Sequence, residues 1–361
     1  MIGMTLNKYL ARRFVAAVAT VFIGMFVLVL MIDYIEQVRR TSAVANVAAL
    51  DVVKLTLYRV PQFMERLVPI CVLVGAMSCF LELSRRLELV VVRAAGVSAW
   101  QFVTPIILSA LLLGTLATAV YNPISARLQD RSRQIESEIF SQHFRAPTTA
   151  AFWINQTTAE GQSIINAVNS AGQGTQLTGV SVFRFNPDGS FKERIEAQRA
   201  VLEAGRWRLS GTRRFALEGA PQNAETTFLS TNLSPSQVRE GFATPDTVSF
   251  WQLPEYIAST SASGPAAAGY KLRYQKLIAQ PFLLVAMVLL ASAMSLRFFR
   301  FGGVQKMVLS GIGAGFLLYV LSKVTDDLSK ADLMNPVAAA WLPVLVGSLS
   351  GFMALLYQED G

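Results

Sequence analysis

The sequence predicts a polytopic α-helical membrane protein with six transmembrane helices, interrupted midway by an inserted all-β domain. Three observations predict it. Hydrophobic residues make up 52% of the 361-residue chain and charged residues only 16%, a balance suited to lipid and not to a soluble domain. Apolar runs able to cross a bilayer recur towards both ends of the chain. Between them, from Ala151 to about Trp251, the pattern changes to short stretches separated by turn residues. The expected parts are residues 1–123 with helices 1–3, 124–270 with the β domain, a flanking helical segment and a linker, and 271–361 with helices 4–6.

Lys8, Arg12 and Arg13 precede a charge-free run from Phe14 to Ile32, which would be roughly 28 Å long as a helix. A signal peptide would have a shorter apolar region with its cleavage site directly after it. Here Asp33, Glu36, Arg39 and Arg40 stand before Ala43-Val44-Ala45, so a retained span is expected. Leu67–Leu81 is too short to cross alone, so the second helix should take its outer turns from Leu55–Arg66, bent by Pro61 and Pro69. The third span is Trp100–Pro123, with Trp100 and Tyr121 near its ends, where aromatic residues favour the interface. A polar helical stretch, Arg127–Arg145, follows.

In the β region, Val180–Phe185 leads into Asn186-Pro187-Asp188-Gly189, a turn sequence, and Phe191–Arg199 would be the return strand. Ala204-Gly205 separates Val201-Leu202 from Trp207–Leu209; Arg213–Leu217 and Thr226–Leu229 follow. Such spacing predicts a sandwich or open barrel with an apolar groove and a free edge. Ser259–Gly269 reads as a flexible connector. Leu277–Leu296, Met307–Ser322 and Met334–Tyr357 complete the six spans. Lys and Arg gather before the first span, between the second and third, and between the fourth and fifth (Arg297, Arg300, Lys306), which puts both termini in the cytoplasm and the β insert outside.

A charged island, Glu82, Arg85, Arg86, Glu88 and Arg93, lies between the second and third spans near residues 82–98. With Leu83, Leu87, Val90, Val91 and Ala94 it forms a short amphipathic helix. It is either a charged turn or a docking helix for another subunit. Several chemistries are absent. The net charge of +8 is scattered among apolar spans, which argues against nucleic acid. There is no phosphate-binding G-x-x-x-x-G-K-[ST] sequence, no metal-ligand spacing, and a single histidine, His143. Cys71 and Cys79 would stand about 12 Å apart on one helix, beyond disulfide reach. The chain is therefore not expected to be an enzyme or to need a cofactor, and energy for any uphill transport must enter from a partner.

Five stretches stand in order along nearly the whole chain: IDYIEQVRR from Ile32, ELVVVRAAGVS from Glu88, RIEAQRA, GRWRL and AQPFLLVAMVLLASAMSLRFFRFGG. In these the chain resembles the lipopolysaccharide-export ABC transporter permeases of the LptF/LptG family, and the closing LSKADLMNPVAAAWLP and the terminal EDG resemble the LptG branch. The resemblance implies a jelly-roll insert in the periplasm of an inner-membrane permease that extracts lipopolysaccharide and passes it to a periplasmic bridge. The implied partners are an LptB-like ABC ATPase dimer holding ATP and Mg, a paralogous LptF-like permease and an LptC-like bitopic protein. Within the island, Arg86, Glu88, Arg93 and Gly96 are the expected ATPase-coupling residues, with Glu88 central. Arg39, Arg40, Arg127, Arg131 and Arg133 are candidates for the lipid head group, because guanidinium groups bind phosphate in parallel charge-assisted bonds. Gly311 and Gly315 permit close helix approach, either within the chain or at a separable gate. One departure stands out: Asp33 is acidic at a position often basic in the family. The rival classes are a membrane-anchored periplasmic enzyme and an ABC mechanotransmission subunit. The missing catalytic constellation speaks against the first and the six spans against the second.

Overall fold

In the computed structural model, the described residues are 2–42, 48–88, 91, 94, 96, 98–141, 152–158, 161–171, 174–186, 190–216, 222–231, 245–260, 266–299 and 304–360. The helices are α1 (Ile2–Thr41), α2 (Ala49–Arg85), α3 (Ala99–Leu116), α4 (Asn122–Ser141), α5 (Leu253–Thr260), α6 (Ala266–Phe299), α7 (Val304–Lys330) and α8 (Pro336–Asp360). Six of them, counting α3 and α4 as one continuous element, are long and apolar enough to cross a membrane. The chain divides into two compact units. One holds residues 1–35, 57–129 and 245–361; the other holds 36–56 and 130–244.

The helical unit is built around a main apolar cluster, with a smaller one at Val60, Met64 and Cys71. Leu10, Phe14 and Val18, one turn apart on α1, meet Val72, Leu73, Ala76 and Phe80 of α2, with Phe102 and Ile106 of α3 and Leu284 and Val288 of α6. Farther along α1, Ile23, Val27, Leu28, Met31 and Ile32 are exposed, as a lipid-facing or partner-facing surface would be. In lipid the burial of apolar area does not drive helices together, so close van der Waals fit must. Glycines supply it: a methyl at Gly75 would overlap the Val18 backbone, and one at Gly351 would press on Leu289 and Leu290.

Prolines inside membrane helices free carbonyl groups that lipid cannot satisfy. Pro281 has no N–H for the Leu277 carbonyl. The Thr118 hydroxyl donates to that oxygen instead, at 2.9 Å. Thr118 lies in a π-helical turn, Ala117–Tyr121, that joins α3 to α4. Just before it, Gly114 lets α3 close on Pro281, where a side chain would collide. The third span is therefore not a helix ending at Pro123, as the sequence suggests. It runs through the π turn into the polar α4 without a break. Likewise α2 starts at Ala49, not Leu55, because the mixed-charge residues before Arg66 are helical too.

The other unit contains six strands: β1 (Phe152–Thr158), β2 (Gly161–Ala171), β3 (Gln176–Phe185), β4 (Phe191–Glu203), β5 (Arg206–Ala216) and β6 (Gln222–Ser230). They form one antiparallel sheet in the order β1-β2-β3-β4-β5-β6. Among the described residues every strand pairs with its sequence neighbour, so the topology is a meander without the crossovers of a jelly roll or a second facing sheet. Of the turn Asn186–Gly189, residues 187–189 lie outside the described residues, but the strands on either side pair as a hairpin.

The sheet curls on itself. Gln156 of β1 donates to the Ser230 carbonyl of β6 at 3.1 Å and accepts from Thr231 Oγ1 at 2.5 Å. The enclosed face is filled by Ile165, Val182, Ile195, Trp207 and Leu209, none more than 1% exposed. The apolar groove expected from the strand pattern is thus occupied by the domain's own core. Val182 points into that core, whereas Phe183 lies on the other face beneath the Arg194 guanidinium, 5.7 Å from the ring centroid.

The bend has a visible origin. Val168, Gly179, Gln198, Gly211 and Glu225 form a row across β2–β6 that the regular pairing skips between each pair of neighbouring strands. Gly179 and Gly211 both adopt φ +64°, a conformation that costs an L-residue about 1–2 kcal/mol. A Cβ at Gly211 would also stand 3.0 Å from Gln198 Cδ. Gly211→Ala is expected to destabilise the sheet by about 1–2 kcal/mol. Hydrogen exchange should show faster opening of β4–β6 with the helices unchanged; unaltered protection there would show that the row is not strained.

Candidate functional site

The island between α2 and α3 is built in two pieces. α2 continues through Arg85, and then Leu87 turns the chain with φ +59°. Glu88, Val91 and Ala94 are helical, Gly96 turns at φ +81°, and Ser98 starts α3 with a reciprocal cap to Gln101. Only glycine meets the Gly96 conformation without strain. Arg93 lies outside the described residues. The first turns of α1 tie into the island. Tyr9 Oη lies 2.9 and 3.1 Å from the two oxygens of Glu88. Arg13 donates to Tyr9 at 3.1 Å and to Glu82 at 2.7 Å, and Arg86 joins Glu82 at 2.9 Å. Glu88, expected to be central to ATPase coupling, is an acceptor held by α1.

At the far end of α1, Glu36 accepts from Arg39 Nε and Nη2, both at 3.0 Å, and from Arg40 Nε at 2.8 Å. One carboxylate shared by two guanidinium groups leaves a surplus positive charge, and Arg39 is 77% exposed. On α4, Arg127, Arg131 and Arg133 are exposed. Arg127 and Arg131, four apart, share a helix face; Arg133 lies about 200° round from Arg131. Asp130, a possible partner for Arg131, instead accepts from Gln134 at 3.2 Å. Asp33 is matched by Arg59 of α2 at 3.7 Å, so the acidic departure from the family pattern is neutralised inside the bundle.

Gly311 and Gly315 face α2. A methyl at either would overlap Met77 or Leu73, whereas Gly313, on the other side of α7, has nothing within 4 Å.

Sequence reasoning missed a buried polar network in the helical unit. The Glu65 side chain, 4% exposed, accepts from Arg273 Nη2 at 2.5 Å and from Asn122 Nδ2 at 3.0 Å. Asn122 Oδ1 in turn takes the Phe250 backbone N–H at 2.8 Å. Asp246 binds Arg66 at 2.7 Å and lies 3.8 Å from Arg273. Farther along, Lys276 of α6 pairs with Asp326 of α7 at 2.5 Å. Beside these groups is a cavity of about 460 Å³ between α2, α6 and α7. The available signal was Glu65-Arg66 at the edge of the apolar run of α2, next to Pro69; the partner, Arg273, is 208 positions away. Among the described residues no cluster of three or more His, Cys, Asp or Glu side chains could hold a metal ion.

The family "Lipopolysaccharide export system permease LptF/LptG" matches the chain over residues 8–357. The chain belongs to that family. It is 24% identical over 352 residues to the "Lipopolysaccharide export system permease protein LptG" of Escherichia coli (strain K12), covering 94% of each chain. It is 21% identical over 352 residues to the protein of that name from Haemophilus influenzae, covering 95% of each. The protein is thus a multi-pass inner-membrane permease of the lipopolysaccharide export system, homologous to LptG and non-catalytic in its own right.

The buried Glu65–Arg273 pair can be broken and repaired by substitution. Arg273→Met leaves Glu65 uncompensated in a low-dielectric site and should cost on the order of 3–5 kcal/mol. Adding Glu65→Leu should recover most of that loss. Thermal unfolding of the detergent-purified protein reads both, and equal destabilisation by the single and double variants would refute the charge argument.

Proposed function

We propose that this permease works as one half of a transmembrane pair driven by a separate LptB-like ATPase dimer. Both termini and the island lie in the cytoplasm and the curled sheet in the periplasm, as the distribution of Lys and Arg favours. Drawing one acyl chain of about 14 carbons from a bilayer costs on the order of 10 kcal/mol, at about 0.8 kcal/mol per methylene. A multi-chain glycolipid therefore has to pass from lipid to one sheltered apolar surface after another. The exposed apolar side of α1, carrying Ile23, Val27 and Met31, and that of α7, carrying Leu309, Ile312 and Phe316, suit a cavity shared with an LptF-like permease. An LptC-like bitopic partner takes the lipid onward by docking on an edge of the sheet.

The observation that carries the coupling role is the tie from Tyr9 and Arg13 to Glu88 and Glu82. A push on the island is passed directly to the start of α1, whose other end carries Arg39 and Arg40. In this reading Arg86, Glu88, Arg93 and Gly96 shape the ATPase-docking surface. Arg39, Arg40, Arg127, Arg131 and Arg133 hold phosphate of the head group, with Arg39 and Arg40 positioned by Glu36.

Glu88→Ala in the reconstituted complex should reduce ATPase copurification and lipid extraction at least tenfold while thermal stability stays within about 1 kcal/mol, as for an exposed polar contact. Wild-type ATPase binding and transport would sink the coupling role. Photocrosslinking residues at Arg39 and Arg133 should capture lipopolysaccharide in an ATP-dependent way. A transporting complex with adducts at neither position would remove the head-group assignment.

A further inference from the structure

We propose that the crevice between α2, α6 and α7 binds one acyl chain of an anionic glycerophospholipid whose head group carries hydroxyls, separately from the exported glycolipid. The proposal rests on the membrane-spanning reading of the bundle and not on the export mechanism. The cavity is about 460 Å³, within the range of ligand pockets. Its volume equals that of about fifteen waters, enough for one hydrocarbon chain but not for the several chains of a lipopolysaccharide anchor.

Its lining is graded. Ile70, Leu283, Met287 and Leu318 form an apolar floor. Met287 lies about 15 Å along α6 from Leu277, the start of the charge-free run, so the floor reaches well into the hydrocarbon layer. An apolar floor at that depth suits a hydrocarbon chain. The other end of the crevice is charged. Each of its carboxylates is matched: Glu65 by Arg273, Asp246 by Arg66 and Asp326 by Lys276. Lys323 and Lys330 are then left over; Lys323 pairs with Asp327 on its own helix, outside the lining. Lys330 has no carboxylate within 4 Å among the described residues. The surplus is positive and suits a phosphate. The same mouth offers a buried acceptor, Asp326 Oδ1, which has no hydrogen-bond partner among the described residues. A head group with both a phosphate and a hydroxyl donor, as in phosphatidylglycerol, satisfies both features. Phosphatidic acid or phosphatidylethanolamine would satisfy them less well.

The test uses the full-length protein in nanodiscs containing a trace of phosphatidylglycerol with a diazirine in one acyl chain. After illumination, peptide mass spectrometry should place adducts on Leu283–Met287 and around Leu318. Unlabelled phosphatidylglycerol should suppress them at least fivefold better than phosphatidylethanolamine. Ser322→Trp at the mouth and Leu318→Trp at the floor should each reduce the adducts at least fivefold, and Asp326→Asn should narrow the preference for phosphatidylglycerol over phosphatidic acid. Ser322→Trp, on a partly exposed position, keeps the test open if Leu318→Trp does not fold. Adducts that ignore both tryptophans, equal competition by phosphatidylethanolamine, or displacement by lipopolysaccharide alone would each overturn the proposal. Lipopolysaccharide extraction measured on the same variants separates this outcome from failure of the export reading.

Discussion

The helical unit depends on the carboxylate of Glu65. It lies at a proline-bent point of α2, where Pro69 cannot donate to the Glu65 carbonyl. An isolated charge there would be intolerable, so its neighbours are fixed by the need to satisfy it. Arg273 brings in α6, Asn122 brings in the start of α4, and the Asn122 oxygen fixes the segment returning at Phe250. Three stretches far apart in sequence thus converge on one acid. The π-helical turn belongs to the same arrangement. It carries Thr118 to the carbonyl that Pro281 leaves open and Tyr121 to the Pro61 carbonyl at 2.8 Å. Polar groups, and not apolar area, decide how these helices are arranged, as expected where lipid is as apolar as leucine.

The two ends of α1 show how one helix can serve two chemistries. Its first turns offer Tyr9 and Arg13 to the island, and its last turns offer Arg39 and Arg40 around Glu36. Between them Leu10, Phe14 and Val18 form a buried stripe, and Phe22, Met25 and Val29 pack less deeply against Val60, Met64 and Cys71 of α2. A helix held at one end and along one stripe can transmit displacement along its axis while its outer side remains available to lipid or a partner.

Much of this was legible in the letters. Charge-free runs disclosed the six crossings because the cost of placing charge in hydrocarbon leaves so clear a trace. The turn residues disclosed the β3–β4 and β4–β5 hairpins. Strand lengths were harder to read: Phe191–Glu203 and Arg206–Ala216 are continuous, although the sequence suggests breaks near Ala200 and Gly211. Gly211 marks a bend and not an end, a distinction that only cross-strand pairing makes. The curl of the sheet was equally hidden, because the Gln156–Ser230 contact closes over 74 positions. Of the candidate site residues, the island and the arginines could be picked out by charge. That Tyr9 holds Glu88, and that Glu65 is neutralised by Arg273, could not, since nothing local in the sequence encodes which distant helix will stand alongside.

Gly311 and Gly315 carry a mechanical consequence. Their neighbours, the Met77 thioether and a Leu73 methyl, are the tips of mobile side chains and not interlocked β-branched groups. The contact resembles a fulcrum on which α7 can rock without first unpacking. Asp326 lies eleven residues beyond Gly315, an arm of about 16 Å. A tilt of about 5° would carry its carboxylate about 1.4 Å, enough to part it from Lys276, now at 2.5 Å. The Lys276–Asp326 ion pair is thus one tie that such a tilt would have to break.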